Sequence, residues 1–506
     1  MCGIVAIYGN DASRCAPHLD MMLNRLSHRG PDDRGIHIGN NIALGQTRLS
    51  IIDVAGGRQP IFAEDGRECV ICNGEIYNHL ALRRKLLQHQ FRTNSDSEVI
   101  VHLFEELGEG SVSQLDGMFA FVLHDGQDIL VARDPLGIKP LYQGRRDGCL
   151  FFASELKALD GVVDSIQEFP PGHYYHSKRG LVQYYRFPQT DCGNGDVDEI
   201  CKTLQEKLNR AVQKRWMSDV PLGCFLSGGI DSSLIAAISK RNFDHLDTFS
   251  VGLGEDATDP PYARAVAKFL GTGHHEYTYT RKEVLETLPE VIYHLESFDP
   301  ALVRSAIPCY FVSRLAKDYV KVILTGEGAD EVFAGYHYFK RYRRKDEVYK
   351  ESVRILTGLH NLNLQRVDRS TMAHSIEGRV PFLDVDFVEY TMSIDPELKL
   401  AGKGRRIEKW LLRHAFVDYL PAEVVWRPKM EFSAGCGSER LLTDFLENEI
   451  TDAEFERERR RFSHVQISSK EELYYFRIFR SLFSTDVDIE AIGRWKGGFA
   501  SEGSDQ

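Results

Sequence analysis

The 506-residue sequence predicts a protein of two domains, the second of them an α/β domain built on a parallel sheet. One hydrophobic core stops growing at roughly 250–300 residues, so a chain of this length is expected to form at least two. A polar, turn-rich stretch from Pro188 to Asp196 separates the halves. After it, helical and strand patterns alternate, which is typical of parallel strands joined by crossover helices. We therefore predict domains at residues 2–190 and 198–495.

Composition favours a compact protein that acts on small molecules. The formal net charge of −12 opposes attraction to phosphates, so we expect no nucleic-acid partner. No apolar run approaches the roughly 18–20 residues that span a bilayer, and the first residues lack a basic signal-peptide region. We expect no membrane association and a cytoplasmic location. Residues 496–506 are rich in glycine, serine and charge and are predicted to be a disordered tail.

The first predicted element is a buried strand that runs from Cys2 to a glycine turn at Gly9. Removal of Met1 would leave Cys2 as the first residue, with a thiol beside a free α-amine. An unperturbed α-amine has a pKa of about 7.7–8.0 and can act as a base near neutral pH, so nucleophile and base would share one residue. The alternative is a small hydrophobic cysteine buried in a strand.

Several motifs follow in order through the first half of the chain. They are Cys2–Ile4, His28–Asp33, Arg48–Asp53, Asn73–Asn78, Ser95–Glu98, Asp116–Ala120 and Arg133–Gly137. With them, this half resembles the class II glutamine amidotransferase domain, which is an N-terminal-nucleophile hydrolase. The resemblance implies an α+β fold of sandwiched antiparallel sheets and hydrolysis of the side-chain amide of glutamine.

Amide hydrolysis needs a nucleophile, donors for the oxyanion, and charges that hold the two ends of the amino acid. By resemblance, Cys2 is the nucleophile, and the Asn73 amide and Gly74 N–H form the oxyanion hole. Arg48 can bind the substrate carboxylate, and two acidic residues can bind its ammonium group. Surface charges and Asn-Gly turns are also common without such roles. The predicted glutamine-binding residues are Arg48, Leu49, Ser50, Ile51, Ile52, Asn73, Gly74, Glu75 and Asp96.

A phosphate-binding layout opens the second half. A helix is predicted from Val197 to Met217, followed by a buried strand over Val220–Leu226, the loop Ser227–Ser233 and an apolar helix. Glycine N–H groups, hydroxyls and the helix N-terminus would all face an anion there. The loop lacks the Gly-Lys-Ser/Thr of a Walker A motif. It resembles the pyrophosphate loop of ATP pyrophosphatases, which cleave ATP between the α and β phosphates; the alternative is a glycine turn with capping serines.

Acidic residues are expected at the carboxyl edge of the sheet, where parallel strands place their ligands. Asp231 would repel phosphate unless a cation intervened, which indicates Mg²⁺. A second buried strand, Val320–Leu324, leads to Glu327 and Asp330. By resemblance Asp330 is the other metal ligand. Glu327 would lie near the reacting carboxyl, where it assists adenylation or accepts a proton from ammonia.

The same resemblance implies an adenosine pocket and a cationic loop. Lys429 would sit over the pyrophosphate, with Arg427 in support, and face developing negative charge. The predicted catalytic residues are Cys2, Asn73, Gly74, Glu327 and Lys429. The predicted ATP-binding residues are Leu226, Ser227, Gly228, Gly229, Asp231, Ser232, Val251, Thr325 and Gly326, and the predicted metal ligands are Asp231 and Asp330.

Two further blocks, Phe298–Pro308 and Ser375–Asp384, make the resemblance specific to the glutamine-hydrolysing asparagine synthetases over nearly the whole chain. It implies that ATP adenylates the β-carboxylate of aspartate with release of pyrophosphate. Ammonia from glutamine then attacks β-aspartyl-AMP to give asparagine and AMP. It also implies a homodimer that uses ATP and Mg²⁺. Arg304 and Arg379 are candidates for binding the acceptor carboxylate.

Three alternatives stay open. Related enzymes on this scaffold amidate other carboxylic acids or close a lactam ring. The intact Cys2 and glutamine-binding residues argue against ring closure, which does not need ammonia from glutamine, but they do not exclude another acid. A tRNA-modifying pyrophosphatase is disfavoured by the net acidity and by the glutaminase half. A pseudoenzyme that keeps the fold without turnover is disfavoured by the complete sets of polar residues at both sites.

Overall fold

The computed structural model describes residues 2–187, 193, 195–402, 405–439, 442, 445, 446, 449–484 and 491–495. Most of the predicted linker and all of the predicted tail, 496–506, lie outside the described residues. No helix in these ranges has both the length and the apolar character needed to cross a membrane.

The amino-terminal half contains two six-stranded sheets whose neighbouring strands are antiparallel. The strands are β1 Cys2–Tyr8, β2 Asp33–Ile38, β3 Ile42–Arg48, β4 Ile61–Phe62, β5 Cys69–Ile76, β6 Gly117–His124, β7 Ile129–Arg133, β8 Tyr142–Arg146, β9 Cys149–Ala153, β10 Ile166–Glu168, β11 His173–His176 and β12 Gly180–Gln183. The first sheet has the order β10-β8-β9-β1-β3-β2 and the second β12-β11-β7-β6-β5-β4. Cys2 therefore begins an interior strand.

Helices cover the outer faces of this pair of sheets. They are α1 Ala12–Cys15, α2 Pro17–Arg25, α3 His79–Arg83, α4 Glu98–Leu107 and α5 Leu156–Leu159. Ile4 and Ala6 of β1 meet Ile71 of β5 and Val122 of β6 in a core between the sheets. The alternate residue Val5 points the other way, into the core that contains α2, and α4 packs on the outer face of the second sheet. The predicted α+β fold of sandwiched antiparallel sheets is confirmed.

The carboxy-terminal half is built on a five-stranded sheet in which all neighbouring strands are parallel. Its strands are β13 Leu222–Phe225, β14 Asp247–Leu253, β15 Gly273–Tyr279, β16 Val322–Leu324 and β17 Glu377–Arg379, in the order β15-β14-β13-β16-β17. Strands β14 and β15 lie on one side of β13, and the later strands β16 and β17 lie on the other side. The direction of the strand order therefore reverses next to β13. Ligands bind at such a switch point, outside the carboxyl ends of the strands. The predicted α/β domain is confirmed.

Helices surround this sheet on both faces. They are α6 Val197–Lys214, α7 Ile230–Lys240, α8 Asp259–Leu270, α9 Arg281–Leu295, α10 Pro300–Ala316, α11 Ala329–Val332, α12 Lys345–Gly358, α13 Asn363–Met372, α14 Val385–Ser393, α15 Pro396–Lys399, α16 Trp410–Ala415, α17 Ala422–Val425, α18 Phe432–Gly435, α19 Asp452–Arg461 and α20 Lys470–Leu482. Short 3-10 helices across the chain are Ser27–Arg29, Gly108–Gln114, Gly254–Asp256, His337–Arg341, Leu359–Asn361, Pro381–Leu383, Val417–Tyr419 and Ser463–Val465.

The first helix of this half shows why the sequence pattern predicts it well. Asp196 caps α6, because its Oδ1 accepts hydrogen bonds from the N–H groups of Asp198 and Glu199. The apolar positions four apart that define the pattern, such as Leu204 and Leu208, are fully buried. The helix ends at Lys214, three residues before the predicted end.

Candidate active sites

Cys2 lies at the start of β1, where it is 7% exposed. It faces Arg48 across the ladder to β3, and its main-chain N donates a hydrogen bond to Asn73 Oδ1 at 3.0 Å. Burial raises the pKa of the Cys2 thiol, while the terminal charge, the Leu49 N–H and the Arg48 charge act in the opposite direction. The predicted nucleophile therefore stands among groups that can stabilise its thiolate.

Asn73 and Gly74 lie side by side in β5, next to Cys2. Asn73 Oδ1 accepts the Cys2 N–H, whereas its buried Nδ2 has no hydrogen-bond partner among the described residues. An unpaired buried donor is costly unless a ligand uses it. Gly74 has a φ of +152°, and a Cβ there would lie 2.0 Å from the carbonyl oxygen of Met118, so only glycine fits. This arrangement suits an oxyanion hole.

The segment that follows Arg48 is held against the Arg48 guanidinium. Nη2 of Arg48 donates to the carbonyl oxygens of Ile52 at 3.0 Å and Asp53 at 2.8 Å. Leu49 and Ile51 are buried in a core shared with the carboxy-terminal half. Residues 48–52, the predicted binding segment, therefore form one ordered loop at Cys2, and Arg48 keeps further N–H groups with which it can bind a carboxylate.

Glu75 and Asp96 are buried carboxylates at the end of β5. Asp96 Oδ2 accepts a hydrogen bond from Ile76 N at 2.7 Å, and Glu75 Oε1 lies 3.5 Å from Arg379 Nη2. Glu75 Oε2 has no hydrogen-bond partner in the described part of the chain. Burial raises the pKa of Glu75 well above its ordinary value and that of Asp96 to about 6. The charge of Arg379 only partly offsets the burial of these two carboxylates, so an ammonium group bound beside them would stabilise their ionised forms.

We expect glutamine to bind more weakly as the pH falls through about 6. Only ionised Asp96 attracts an ammonium group, and its raised pKa brings the loss of that charge into a measurable range. Calorimetric titration of glutamine into a Cys2→Ala variant would report this without turnover. The double variant Cys2→Ala/Asp96→Asn should bind glutamine with a higher dissociation constant. Its affinity should no longer fall as Asp96 becomes protonated. An unchanged profile in the double variant would contradict the role of Asp96.

The predicted phosphate loop joins β13 to α7 and is held by its own side chains. Ser227 N donates to Ser232 Oγ at 3.1 Å, and Gly229 N donates to Ser227 Oγ at 3.3 Å. Gly228 has a φ of +73°, and a Cβ there would lie 2.6 Å from the main-chain N of Ala263. The loop is therefore preformed and requires glycine, and it leads into a helix N-terminus of the kind that binds anions.

A cavity opens at the carboxyl edge of β13, β14 and β16, as the strand order predicts. The predicted ATP-binding residues in its wall are Leu226, Ser227, Gly229, Asp231, Ser232, Val251, Thr325 and Gly326. Gly228 lies behind this wall, against α8. Phe225, Phe249 and Val312 add an apolar side. The cavity thus combines an apolar face with a polar loop, as a nucleotide requires.

Two carboxylates and two lysines meet in this cavity. Lys409 Nζ lies 2.5 Å from Asp231 Oδ2 and 2.7 Å from Asp330 Oδ1, and Lys429 Nζ lies 2.5 Å from Asp330 Oδ2. Burial favours the neutral forms of these side chains, but the attraction between the carboxylates and the lysine ammonium groups is stronger. The pKa of Asp330 is therefore lowered well below its ordinary value, and the pKa of Lys429 is raised. The residues predicted to bind metal and pyrophosphate form one cluster.

Lys409 is the member of this cluster that sequence reasoning missed. It is fully buried and adopts a φ of +56° just before α16. Gly335 makes room for the cluster, since a Cβ there would lie 2.1 Å from Asp330 Oδ1 and 2.2 Å from Lys409 Cε. Nothing local marks Lys409 among the basic residues around it, because its two partners are distant in the sequence.

Glu327 lies between this cavity and a second one and lines both. The Arg366 guanidinium of α13 donates a hydrogen bond to Glu327 Oε1. Burial raises the pKa of Glu327, although the charge of Arg366 opposes the shift. Asp330, Lys429 and Arg366 line both cavities as well, so the charged groups converge at the junction. Arg366 was not predicted from the sequence.

The two arginines proposed for the acceptor carboxylate have different surroundings. Arg304 lines the second cavity, where its Nε donates to Glu471 Oε1 at 2.8 Å. Arg379 is fully buried, and its guanidinium is held by Glu377 and by the carbonyl oxygen of Arg215. It lines neither of these cavities. The structure therefore does not bring Arg379 together with the groups at the junction of the two cavities.

Helix α13 connects the surroundings of the two sites. Arg366 contacts Glu327, and two residues later Asp368 Oδ2 accepts a hydrogen bond from Arg29 Nη1 at 2.7 Å. Arg29 Nε in turn donates to the carbonyl oxygen of Cys2 at 3.0 Å. Arg29 is fully buried, so its charge depends on these partners.

Each half of the chain matches a different family of known proteins. Residues 1–169 match the glutamine amidotransferase domain, and residues 203–350 and 340–491 match asparagine synthase. The glutamine-hydrolysing asparagine synthetase 2 of Arabidopsis thaliana is 42% identical over 507 residues, which cover 96% of this chain and 88% of that protein. The chain belongs to the family of glutamine-hydrolysing asparagine synthetases.

Other members of the family match over similar lengths. The asparagine synthetase of Zea mays is 41% identical, over 97% of this chain and 88% of that protein. A probable asparagine synthetase of Dictyostelium discoideum is 40% identical, over 98% of this chain and 96% of that protein. The resemblance inferred from the motifs is confirmed. The roles of individual site residues stay predictions that rest on their geometry.

Proposed function

We propose that this chain synthesises L-asparagine from L-aspartate, with ammonia from L-glutamine and with cleavage of ATP to AMP and pyrophosphate. The observation that carries the proposal is the meeting of Glu327, Asp330 and Lys429 at the junction of two cavities. One cavity has the phosphate loop and an apolar wall suited to a nucleotide. The other has polar and cationic groups suited to an amino acid. Hydrolysis of glutamine by the buried thiol of Cys2 would supply the ammonia.

The glutaminase step uses the Cys2 thiol. With Met1 removed, the α-amine takes the thiol proton and the sulfur attacks the side-chain carbonyl carbon of glutamine. Asn73 Nδ2 and the Gly74 N–H would stabilise the oxyanion. The amine then gives the proton to the leaving nitrogen, which departs as ammonia. Water hydrolyses the remaining thioester to glutamate and restores the thiol.

The synthetase step begins when the β-carboxylate of aspartate attacks the α-phosphorus of ATP, and pyrophosphate leaves. Lys409 and Lys429 would face the negative charge of the phosphates. Ammonia then attacks the carbonyl carbon of β-aspartyl-AMP, and AMP leaves. Glu327 lies at the junction with a pKa that burial raises, so we propose that it takes the proton lost by the attacking nitrogen.

Mg²⁺ fits the carboxylates of the ATP site. Asp231 Oδ1 is buried without a hydrogen-bond partner among the described residues, and carboxylate oxygen is the ligand that Mg²⁺ prefers. We propose that Asp231 and Asp330 hold the ion, which would neutralise phosphate charge. Lys409 and Lys429, which now pair with these carboxylates, would then be free to contact the phosphates.

Three properties of the whole molecule follow from the family and the composition as further proposals. We propose that the chain is a homodimer, that it acts in the cytoplasm, and that it has no nucleic-acid partner, since its net charge is −12. Light scattering of the purified protein would test the dimer. A monomeric mass at working concentration would contradict it.

The test of the proposed function is release of AMP and pyrophosphate from ATP in the presence of Mg²⁺ and glutamine. Aspartate should be compared with a panel of other carboxylic acids and with a reaction that has no acceptor. We expect release with aspartate, together with stoichiometric asparagine. If another acid supports release and aspartate does not, the assignment of the acceptor is wrong although the chemistry stands.

A further inference from the structure

A second group of ligand-type side chains lies in the glutaminase half, outside both sites described above. Glu64 follows β4, His89 lies between α3 and α4, and His102 and Glu105 are three residues apart on α4. One nitrogen or oxygen atom from each of the four lies within 4.8 Å of the others. We call these four residues the two-histidine cluster. Neither the glutaminase step nor the synthetase step uses them.

The two imidazoles of the two-histidine cluster present the same nitrogen to the same two carboxylates. His89 Nδ1 lies 3.3 Å from Glu64 Oε1 and 3.4 Å from Glu105 Oε2. His102 Nδ1 lies 3.5 Å from Glu64 Oε2 and 2.9 Å from Glu105 Oε2. Two nitrogens and two carboxylates therefore surround one point, which is the ligand number of a tetrahedral zinc site.

A further carboxylate lies near the other nitrogen of each ring. His89 Nε2 is 3.0 Å from Glu106 Oε1, whereas His102 Nε2 is 3.7 Å from Glu98 Oε1 and has no hydrogen-bond partner among the described residues. Metal-bound histidines almost always direct their second ring nitrogen to such an acceptor, which selects the tautomer and orients the ring. The contact between His89 and Glu106 therefore has the geometry expected around a metal-bound histidine.

The rings are held in place by packing. His102 is 1% exposed, and its ring centroid lies 4.7 Å from that of His89 and 4.6 Å from that of Phe91. Four glutamates surround the two imidazoles, so negative charge remains in excess even if both rings are protonated. Arg83 lies nearby, but its Nη2 is 3.9 Å from Glu98 on the outer side. A dication at the centre would offset part of this negative charge while both imidazoles stay neutral, as metal binding requires.

We propose that Glu64, His89, His102 and Glu105 bind one divalent cation of the zinc class, with a structural role. Imidazole nitrogen favours zinc and its neighbours in the transition series, whereas Mg²⁺ and Ca²⁺ prefer sites made of oxygen alone. The ion would join residues 88–97, which lie between α3 and α4, to α4 and to the end of β4. This proposal does not depend on the proposed function, because no reacting group belongs to it.

The experiment uses full-length protein freed of metal with a chelator and then titrated with Zn²⁺ alone, with Mg²⁺ and Ca²⁺ in parallel. We expect one tightly bound Zn²⁺ per chain and no comparable binding of Mg²⁺ or Ca²⁺ to the cluster. Glu106→Gln, which changes only the outer acceptor, should weaken Zn²⁺ binding about 10–100-fold. His89→Gln and Glu105→Gln should weaken it more. His245→Gln alters an exposed histidine elsewhere and should have no effect.

Two further readouts identify the ligands and control for folding. Co²⁺ in place of Zn²⁺ should give the visible absorption of a tetrahedral site of nitrogen and oxygen, and this absorption should disappear in His89→Gln. Zn²⁺ should raise the melting temperature of the wild type but not that of His89→Gln. Unchanged affinity in the His89 and Glu105 variants would overturn the proposal. So would a thiolate charge-transfer band with Co²⁺, or the absence of stoichiometric binding in the wild type.

Discussion

Replacement of Cys2 by alanine should abolish asparagine synthesis from glutamine and leave synthesis from ammonium salts near the wild-type rate. The thiol is the nucleophile in the proposed mechanism, and loss of a nucleophile costs at least about a thousandfold in rate. Added ammonia bypasses that step because it reacts only at the synthetase site. The measurement is asparagine formation with each nitrogen source, with glutamate release followed in parallel.

Cys201→Ala is the matched control for this variant, since Cys201 is also a buried cysteine but lies on α6, away from Cys2. It should keep both activities. Glutamate release by Cys2→Ala at the wild-type rate would contradict the assignment of the nucleophile. Loss of the ammonium-dependent reaction, with an unchanged melting temperature, would show that the two sites are not separable as proposed.

Replacement of Asp330 by asparagine should impair the synthetase reaction and leave glutamine hydrolysis intact, which is the reverse of the effect expected for Cys2→Ala. Asp330 pairs with Lys409 and Lys429 and is the proposed partner of Asp231 in holding Mg²⁺. Without its charge, one metal ligand is weakened and the two lysines lose a counter-ion, so phosphate charge is no longer stabilised correctly. We expect AMP formation to fall about 100–1000-fold with either nitrogen source. Glutamine hydrolysis measured without ATP should remain.

Asp386→Asn is the control for this charge change, because Asp386 pairs with Lys207 at the surface of α14 and is half exposed. It should leave AMP formation unchanged. The Asp330→Asn result should be accompanied by a higher Mg²⁺ requirement. Wild-type AMP formation at low Mg²⁺ would contradict the role of Asp330 in binding the ion.

The glycines of the two predicted site motifs occupy positions at which the structure requires glycine. Gly74 and Gly228 have positive φ angles, and each lies close to a main-chain atom of a neighbouring segment. Such positions exclude other residues. The helix predicted from Val197 could be predicted because its cap and its apolar spacing belong to one short segment.

The charged partners could not be predicted in this way. Lys409 contacts Asp231 across 178 positions of the sequence, and Arg366 contacts Glu327 across 39. The surroundings of Arg379 could not be predicted either, because an arginine near a family motif gives no indication of which carboxylate it will meet. Its partners are Glu377 beside it and Glu75 in the other half.

By itself, the sequence determined the family and the two fold classes, and it placed glycines where the backbone requires them. These depend on periodicity, on glycine conformations and on the order of motifs, all of which are encoded within short segments. Only the tertiary structure decided which lysines neutralise Asp231 and Asp330, how α13 reaches both sites, and that Glu64 and His89 approach two groups on α4. Pairing of charges depends on distances in space between residues far apart in the chain, and local sequence patterns do not contain those distances.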